Sequence, residues 1–188
     1  MTFFNELLGI YANPKELANE IKDTEGLSSP IKFFTFVNII TSIILLISSI
    51  IEGQTIVMGI STAIGTFIMM YPTIFIASGF IHLIMKLFGD SKKYFQTFKA
   101  IAYSLALGIL SGLFEIIIFY IPSASFLNYI VALWSLYVMI IILREYSDLS
   151  KMKFIFSMMT IITIQIILVL LFIGVLAYFG FLSPTVAS

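Results

Sequence analysis

Every basic residue of this chain falls in one of three stretches, and five long apolar runs are threaded between them. Lys15, Lys22 and Lys32 precede the first run, Lys86, Lys92, Lys93 and Lys99 sit around the junction of the second and third, and Arg144, Lys151 and Lys153 sit between the fourth and fifth. The gaps after the first, third and fifth runs hold no Lys or Arg. Segments beside spanning helices carry their excess of Lys and Arg on the cytoplasmic side. The pattern predicts five crossings of the cell membrane, with the amino terminus cytoplasmic and the carboxyl terminus external.

The runs cover about 33–51, 56–88, 98–121, 126–143 and 154–180, each near or above the roughly 20 residues needed to cross hydrocarbon. A hydrophobic content of 60% and a mean hydropathy of +1.10 exceed what one soluble core could bury. The runs are continuous and rich in Ile, Leu, Phe and Met, whereas barrel strands alternate in polarity over about 10 residues. The fold class is therefore read as an all-α membrane protein. Residues 1–32 form short amphipathic interfacial helices, and 33–188 form a five-transmembrane-helix bundle. Glu6, Glu16, Glu20, Asp23 and Glu25 offset the lysines of the first segment, which argues against a polybasic lipid-binding tail. The first residues carry Glu6 and no cation before an apolar stretch too short for a cleavable signal, so the first span is expected to direct insertion.

Local signals mark the element ends. Phe3, Phe4, Leu7, Leu8 and Tyr11 recur at helical spacing opposite Asn5 and Glu6, as in a helix lying in the interface plane. Asn13 is expected to cap a second helix that Pro14 opens and that ends near Asp23. Ser29 is expected to cap the first span, with Pro30 at its first position. The second run would extend about 50 Å at 1.5 Å per residue, against roughly 30 Å of hydrocarbon. Pro72, with Gly59, Gly65 and Gly79, predicts a kinked helix there, or a short external helix joined to a true span. Asp90 and Ser91 are expected to cap the third span. Ile121-Pro122-Ser123 reads as a tight external turn, and Asp148-Leu149-Ser150 as the last cytoplasmic loop.

Within the spans, Ser104, Gly108 and Gly112 recur every fourth residue, a ridge along which another backbone can approach closely. It reads either as packing within the bundle or as the face of a homo-oligomer. Glu115 shares that face by spacing, and a carboxylate in hydrocarbon is costly. It is expected to point inward, uncharged and hydrogen-bonded. The functional alternative makes it a proton or cation relay with Glu52, as in a small transporter, channel or lipid-moving protein. His82, Asn38 and Gln165 read as hydrogen-bonding groups between helices, and one histidine cannot make a metal site. Trp134 and Tyr137 read as lipid-facing or packing residues.

Phosphate-loop, dinucleotide and HExxH patterns are all missing, and no extramembrane stretch exceeds about 32 residues. With no Cys, thiolate chemistry and Cys metal sites are also excluded. A non-enzymatic protein without cofactors is expected. Its cations are accounted for by topology, which leaves no nucleic-acid surface. Besides the lipid bilayer, a protein partner is expected at the cytoplasmic loops, on Lys92, Lys93, Tyr94, Lys151 and Lys153.

Two stretches carry a family resemblance. Leu8-Gly9-Ile10-Tyr11-Ala12-Asn13-Pro14-Lys15-Glu16 is similar to the opening of prokaryotic members of the Yip (Ypt-interacting-protein) domain family. Phe88-Gly89-Asp90 through Lys99-Ala100-Ile101-Ala102-Tyr103-Ser104 resembles the segment that leads into that family's third span. Ile121-Pro122 followed by Leu133-Trp134-Ser135-Leu136 fits the same pattern. The chain has Ala102 where the family usually has Gly, and the eukaryotic Asp-Leu-Tyr-Gly-Pro signature is absent. The resemblance implies five spans, no catalytic domain, and a role in organising membranes or binding trafficking-type partners.

Overall fold

The computed structural model describes residues 3–22 and 26–178, the side chains of 176–178 excepted. Asp23, Glu25 and the end of the fifth run lie outside the described residues. Among the described residues eight α-helices follow in order: α1 (Phe3–Ala12), α2 (Pro14–Lys22), α3 (Ser28–Ile51), α4 (Ile56–Leu87), α5 (Tyr94–Ser104), α6 (Gly108–Tyr120), α7 (Phe126–Tyr146) and α8 (Lys151–Tyr178). Among the described residues, five stretches are long and apolar enough to cross a membrane: Ser28–Ile51, Ile56–Leu87, Tyr94–Tyr120, Pro122–Tyr146 and Lys151–Val175. The chain is an all-helical, multi-pass membrane protein.

Several element ends follow the expectations. Asn13 Oδ1 accepts from the Glu16 amide at 3.3 Å, and Asn13 Nδ2 donates to Glu16 Oε2 at 2.8 Å, so α2 starts on a reciprocal cap. Pro122–Ser125 turns as a short 3-10 helix, and Asp148 to Ser150 joins α7 to α8. Others are corrected. Helix α3 starts at Ser28, after Leu27, with no side-chain cap, and Pro30 sits inside the first turn, where amide donors lack helical partners anyway. Asp90 and Ser91 do not cap α5. That helix starts at Tyr94, and the Lys93 amide donates to Gln96 Oε1 at 3.2 Å.

The second run is one helix, unbroken through Pro72. Thr73 Oγ1 donates to the Met69 carbonyl at 2.8 Å, one residue on from the Ile68 carbonyl that Pro72 leaves without an amide donor. The break falls instead in the third span, where a 3-10 turn, Leu105–Leu107, separates α5 from α6. No proline or mid-segment charge marks that turn in the sequence.

Helix α3 is central, packing on α4, α5 and α6, while α7 packs on α2, α5 and α6. Helix α8 packs on α4, and only its first part is buried, through Phe154, Ser157, Met158 and Ile161. From Ile162 to Val175 it is exposed except at Ile164. The largest fully buried side chains, among them Phe33, Phe98, Lys99, Tyr103, Ile10 and Leu17, gather at the lysine-bearing end. Phe33 and Tyr103 stack there with centroids 4.4 Å apart. That end is packed like a soluble core, and the opposite half presents Ile, Leu and Val outward, as a lipid environment permits.

Candidate functional site

Three polar groupings stand out along the bundle axis. The first ties α1 and α2 to the lysine-bearing end. On helix α1, Glu6 and Ile10 are buried against the bundle, while Phe3, Phe4 and Leu8 are exposed. Glu6 turns inward because Tyr103 Oη donates to its Oε2 at 3.1 Å, giving the carboxylate a partner that an apolar residue could not use. Desolvation pushes the Glu6 carboxyl above its ordinary range, and the tyrosine hydrogen bond only partly offsets that. Tyr11 Oη donates to the Ala106 carbonyl at 3.1 Å, so α1 also supplies a donor to the 3-10 turn. Lys99, 1% exposed, reaches across to the Ile21 carbonyl at 2.7 Å, with the Phe95 and Tyr146 rings 5.5 and 5.9 Å from its ammonium. In the sequence Lys99 reads only as a topology cation. Its place among Phe95, Phe98, Ala100 and Ile101 was the available signal for burial.

The same end holds the loop lysines. Lys92 Nζ lies 2.8 Å from Asp148 Oδ1, and Ser91 Oγ donates to the other carboxylate oxygen. These contacts hold the Asp148 carboxyl below its ordinary range. Gly89, at φ +96, turns the chain after α4 into a left-handed conformation that a side chain would resist. Asp90 follows, and its Oδ1 accepts from the amides of Lys92 and Asp148, each at 3.3 Å. Arg144 Nη1 donates to the Leu149 carbonyl at 2.8 Å. The two loops are thus tied to each other, and Lys92 is engaged in doing so. Lys93, Lys151 and Lys153 remain exposed. Tyr94 Oη donates to the Phe75 carbonyl at 3.1 Å, and its ring meets His82 edge-on at 5.8 Å. His82 Nδ1 lies 3.3 Å from Thr97 Oγ1, an inter-helix hydrogen bond.

The second grouping is a cavity of about 220 Å³ beside the broken third span, walled by α3, Met70 of α4, the 3-10 turn, α6 and α7. Its polar lining is Asn38, Thr41, Ser111, Asn128 and Ser135. Asn38 Nδ2 donates to the Phe67 carbonyl at 2.9 Å, while its Oδ1 is buried with no hydrogen-bond partner. Ser111 Oγ donates to Asn128 Oδ1 at 3.3 Å, and Ser135 Oγ donates to the Ser104 carbonyl at 3.0 Å. Of the small-residue ridge, Gly112 meets α3: a Cβ there would come 3.0 Å from Ile44 Cγ2. Gly108 has nothing within 4 Å of that position and lines the cavity instead. No local pattern in the sequence marks the cavity, because the 3-10 turn that opens it has no signature of its own.

The third grouping lies at the far end. Glu52 closes α3, and Ser48 Oγ donates to its Oε1 at 3.1 Å. Glu115 is within electrostatic reach of Glu52 but is exposed, contrary to the inward orientation expected of it. Gly112 is the last residue of that face to be buried. One turn further out the helices no longer close over the side chain. Neither Glu52 nor Glu115 lines the cavity. Gln165 is also corrected: it sits on the exposed part of α8 and bridges no helices among the described residues. Trp134 and Tyr137 are exposed with their rings 5.1 Å apart, in line with lipid-facing positions. Among the described residues no group of three His, Cys, Asp or Glu could hold a metal ion.

The family model of the Yip1 domain matches residues 8–182. No curated protein and no solved structure matches the chain. The match covers the docked α1 from Leu8, the tied loops and all five spans, so the chain belongs to the Yip1 domain family.

Proposed function

We propose that this chain is a non-enzymatic integral membrane protein that organises the membrane by holding a protein partner at its lysine-bearing end, and that this end faces the cytoplasm. One observation carries the reading: Lys93, Lys151 and Lys153 stay exposed while the cations beside them are used internally. Lys92 pairs with Asp148, Lys99 holds the Ile21 carbonyl, and Arg144 holds Leu149. The tied loops hold the backbone that carries these three exposed cations, which lowers the ordering cost of engaging an acidic surface. The distribution of Lys and Arg supports the cytoplasmic orientation. The transport reading built on Glu115 and Glu52 gains no support from the cavity, whose lining contains neither.

The test is a crosslinking pull-down from native membrane, comparing the natural chain with Lys93→Gln/Lys151→Gln/Lys153→Gln. A partner recovered with the first and lost with the second is the expected result, and equal recovery would remove the proposed surface. Tags at the two ends should be reached from opposite faces of sealed vesicles. Access from one face would overturn the orientation.

A further inference from the structure

We infer that the cavity beside the broken third span binds the hydroxyl end of a neutral lipid alcohol that enters from the bilayer. Four observations lead there. The first is an unused acceptor. Asn38 is 2% exposed, and its Oδ1 has no hydrogen-bond partner. Its amide cannot be turned round to relieve this, because Oδ1 would then face the Phe67 carbonyl that Nδ2 now serves. A buried acceptor left unmade costs about 1–3 kcal/mol, so a ligand that supplies a donor recovers that penalty. The second is an unused edge on the opposite wall. Asn128 spends one of its two amide edges on Ser111, whichever way its amide is turned. A hydroxyl both donates and accepts, so it suits the acceptor on one wall and either amide edge on the other.

The third observation is the absence of charge: no Asp, Glu, Lys, Arg or His is among the cavity's lining residues. An ion held at this depth without a partner would be strongly disfavoured, which selects a neutral ligand. The fourth is size and access. About 220 Å³ falls below the roughly 300–1,000 Å³ of pockets that enclose whole drug-sized ligands, so the site fits the head of a longer molecule. Ala132 lines the cavity and is exposed, which places the mouth on α7. Tyr129 and Leu136, three residues before and four after Ala132, share its face of α7; the first is exposed and the second half-buried, a surface along which a hydrocarbon tail can lie.

The probe is a hexadecanol carrying a photoreactive group and an alkyne on its chain, applied to the full chain in nanodiscs, with crosslinks mapped by mass spectrometry. Labelling is expected on the segments of α3 and α7 that contain Asn38 and Asn128. Unlabelled hexadecanol or dioleoylglycerol should compete, which separates single-chain from two-chain alcohols, whereas hexadecane should not. Asn38→Leu, which keeps the branching and heavy-atom count of Asn but is bulkier and cannot accept, should weaken labelling about two- to tenfold. Because that variant also removes the bond to Phe67, Ala132→Phe serves as the second. It narrows the mouth at an exposed position and should abolish labelling while the protein stays monodisperse. Competition by hexadecane equal to that by hexadecanol would overturn the inference. So would labelling confined to other helices, no competition by either alcohol, or labelling unmoved by Ala132→Phe.

Discussion

Lys99→Met is the sharpest test of how the lysine-bearing end is held together. Lys99 is buried at 1% exposure, donates to the Ile21 carbonyl at 2.7 Å and lies near the rings of Phe95 and Tyr146. Methionine keeps much of the stem and fills the same channel but cannot donate. A hydrogen bond from a charged group contributes about 1.5–3 kcal/mol, and each ring contact adds about 0.5–1 kcal/mol. Removing a buried ammonium also relieves its desolvation, which offsets part of that loss. The net expectation is about 1–3 kcal/mol, felt where α2 meets the bundle. This corresponds to a roughly 5- to 150-fold rise in the population of opened α2. The chain has no Cys, so Leu17→Cys provides a single buried reporter on α2 whose own cost is common to both backgrounds. Its reaction with a maleimide reports the opened state when closing is faster than labelling. Acceleration within that range is expected for Lys99→Met. An unchanged or slower rate would mean that the desolvation cost of Lys99 outweighs its contacts, and would refute the tether.

The other predictions are narrower. The folded-state carboxyl of Glu6 titrates above its ordinary range. Docking of α1 should therefore be strongest below that range and weaken as pH rises through the raised value, and Glu6→Gln should flatten the dependence; spin-label mobility at Leu8→Cys across the titration checks both. Gly108→Ala should cost nothing and can stabilise by about 0.5 kcal/mol, whereas Gly112→Leu should cost about 1–3 kcal/mol by driving atoms into Ile44. Equal melting shifts in detergent would contradict the packing of α6 on α3. Glu115→Gln in reconstituted vesicles should leave proton and cation flux at the level of protein-free controls, since its side chain is exposed and lines no path; a flux present in the natural chain and lost in the variant would revive a transport role.

The sequence alone determined the number of spans, their approximate limits and the cap on α2, because those depend on signals local to a few residues or summed along a run. Apolar length, Asn13 beside Pro14, and the Pro122 turn all act without knowledge of neighbours. The family resemblance was likewise carried by short contiguous stretches, Leu8 to Glu16 and Phe88 to Ser104. Tertiary structure decided which faces point inward. Glu6 reads as part of the polar side of an interfacial α1, yet it is buried, because Tyr103 arrives from 97 residues away to satisfy it. Lys99 reads as a surface cation until the Ile21 carbonyl comes within 2.7 Å, and Glu115 reads as packed until the helices part around it. The cavity belongs to this second class entirely. It exists because the third span changes helical form at Leu105–Leu107 while α3 and α7 stand on either side, a cooperation of three segments that no local pattern encodes.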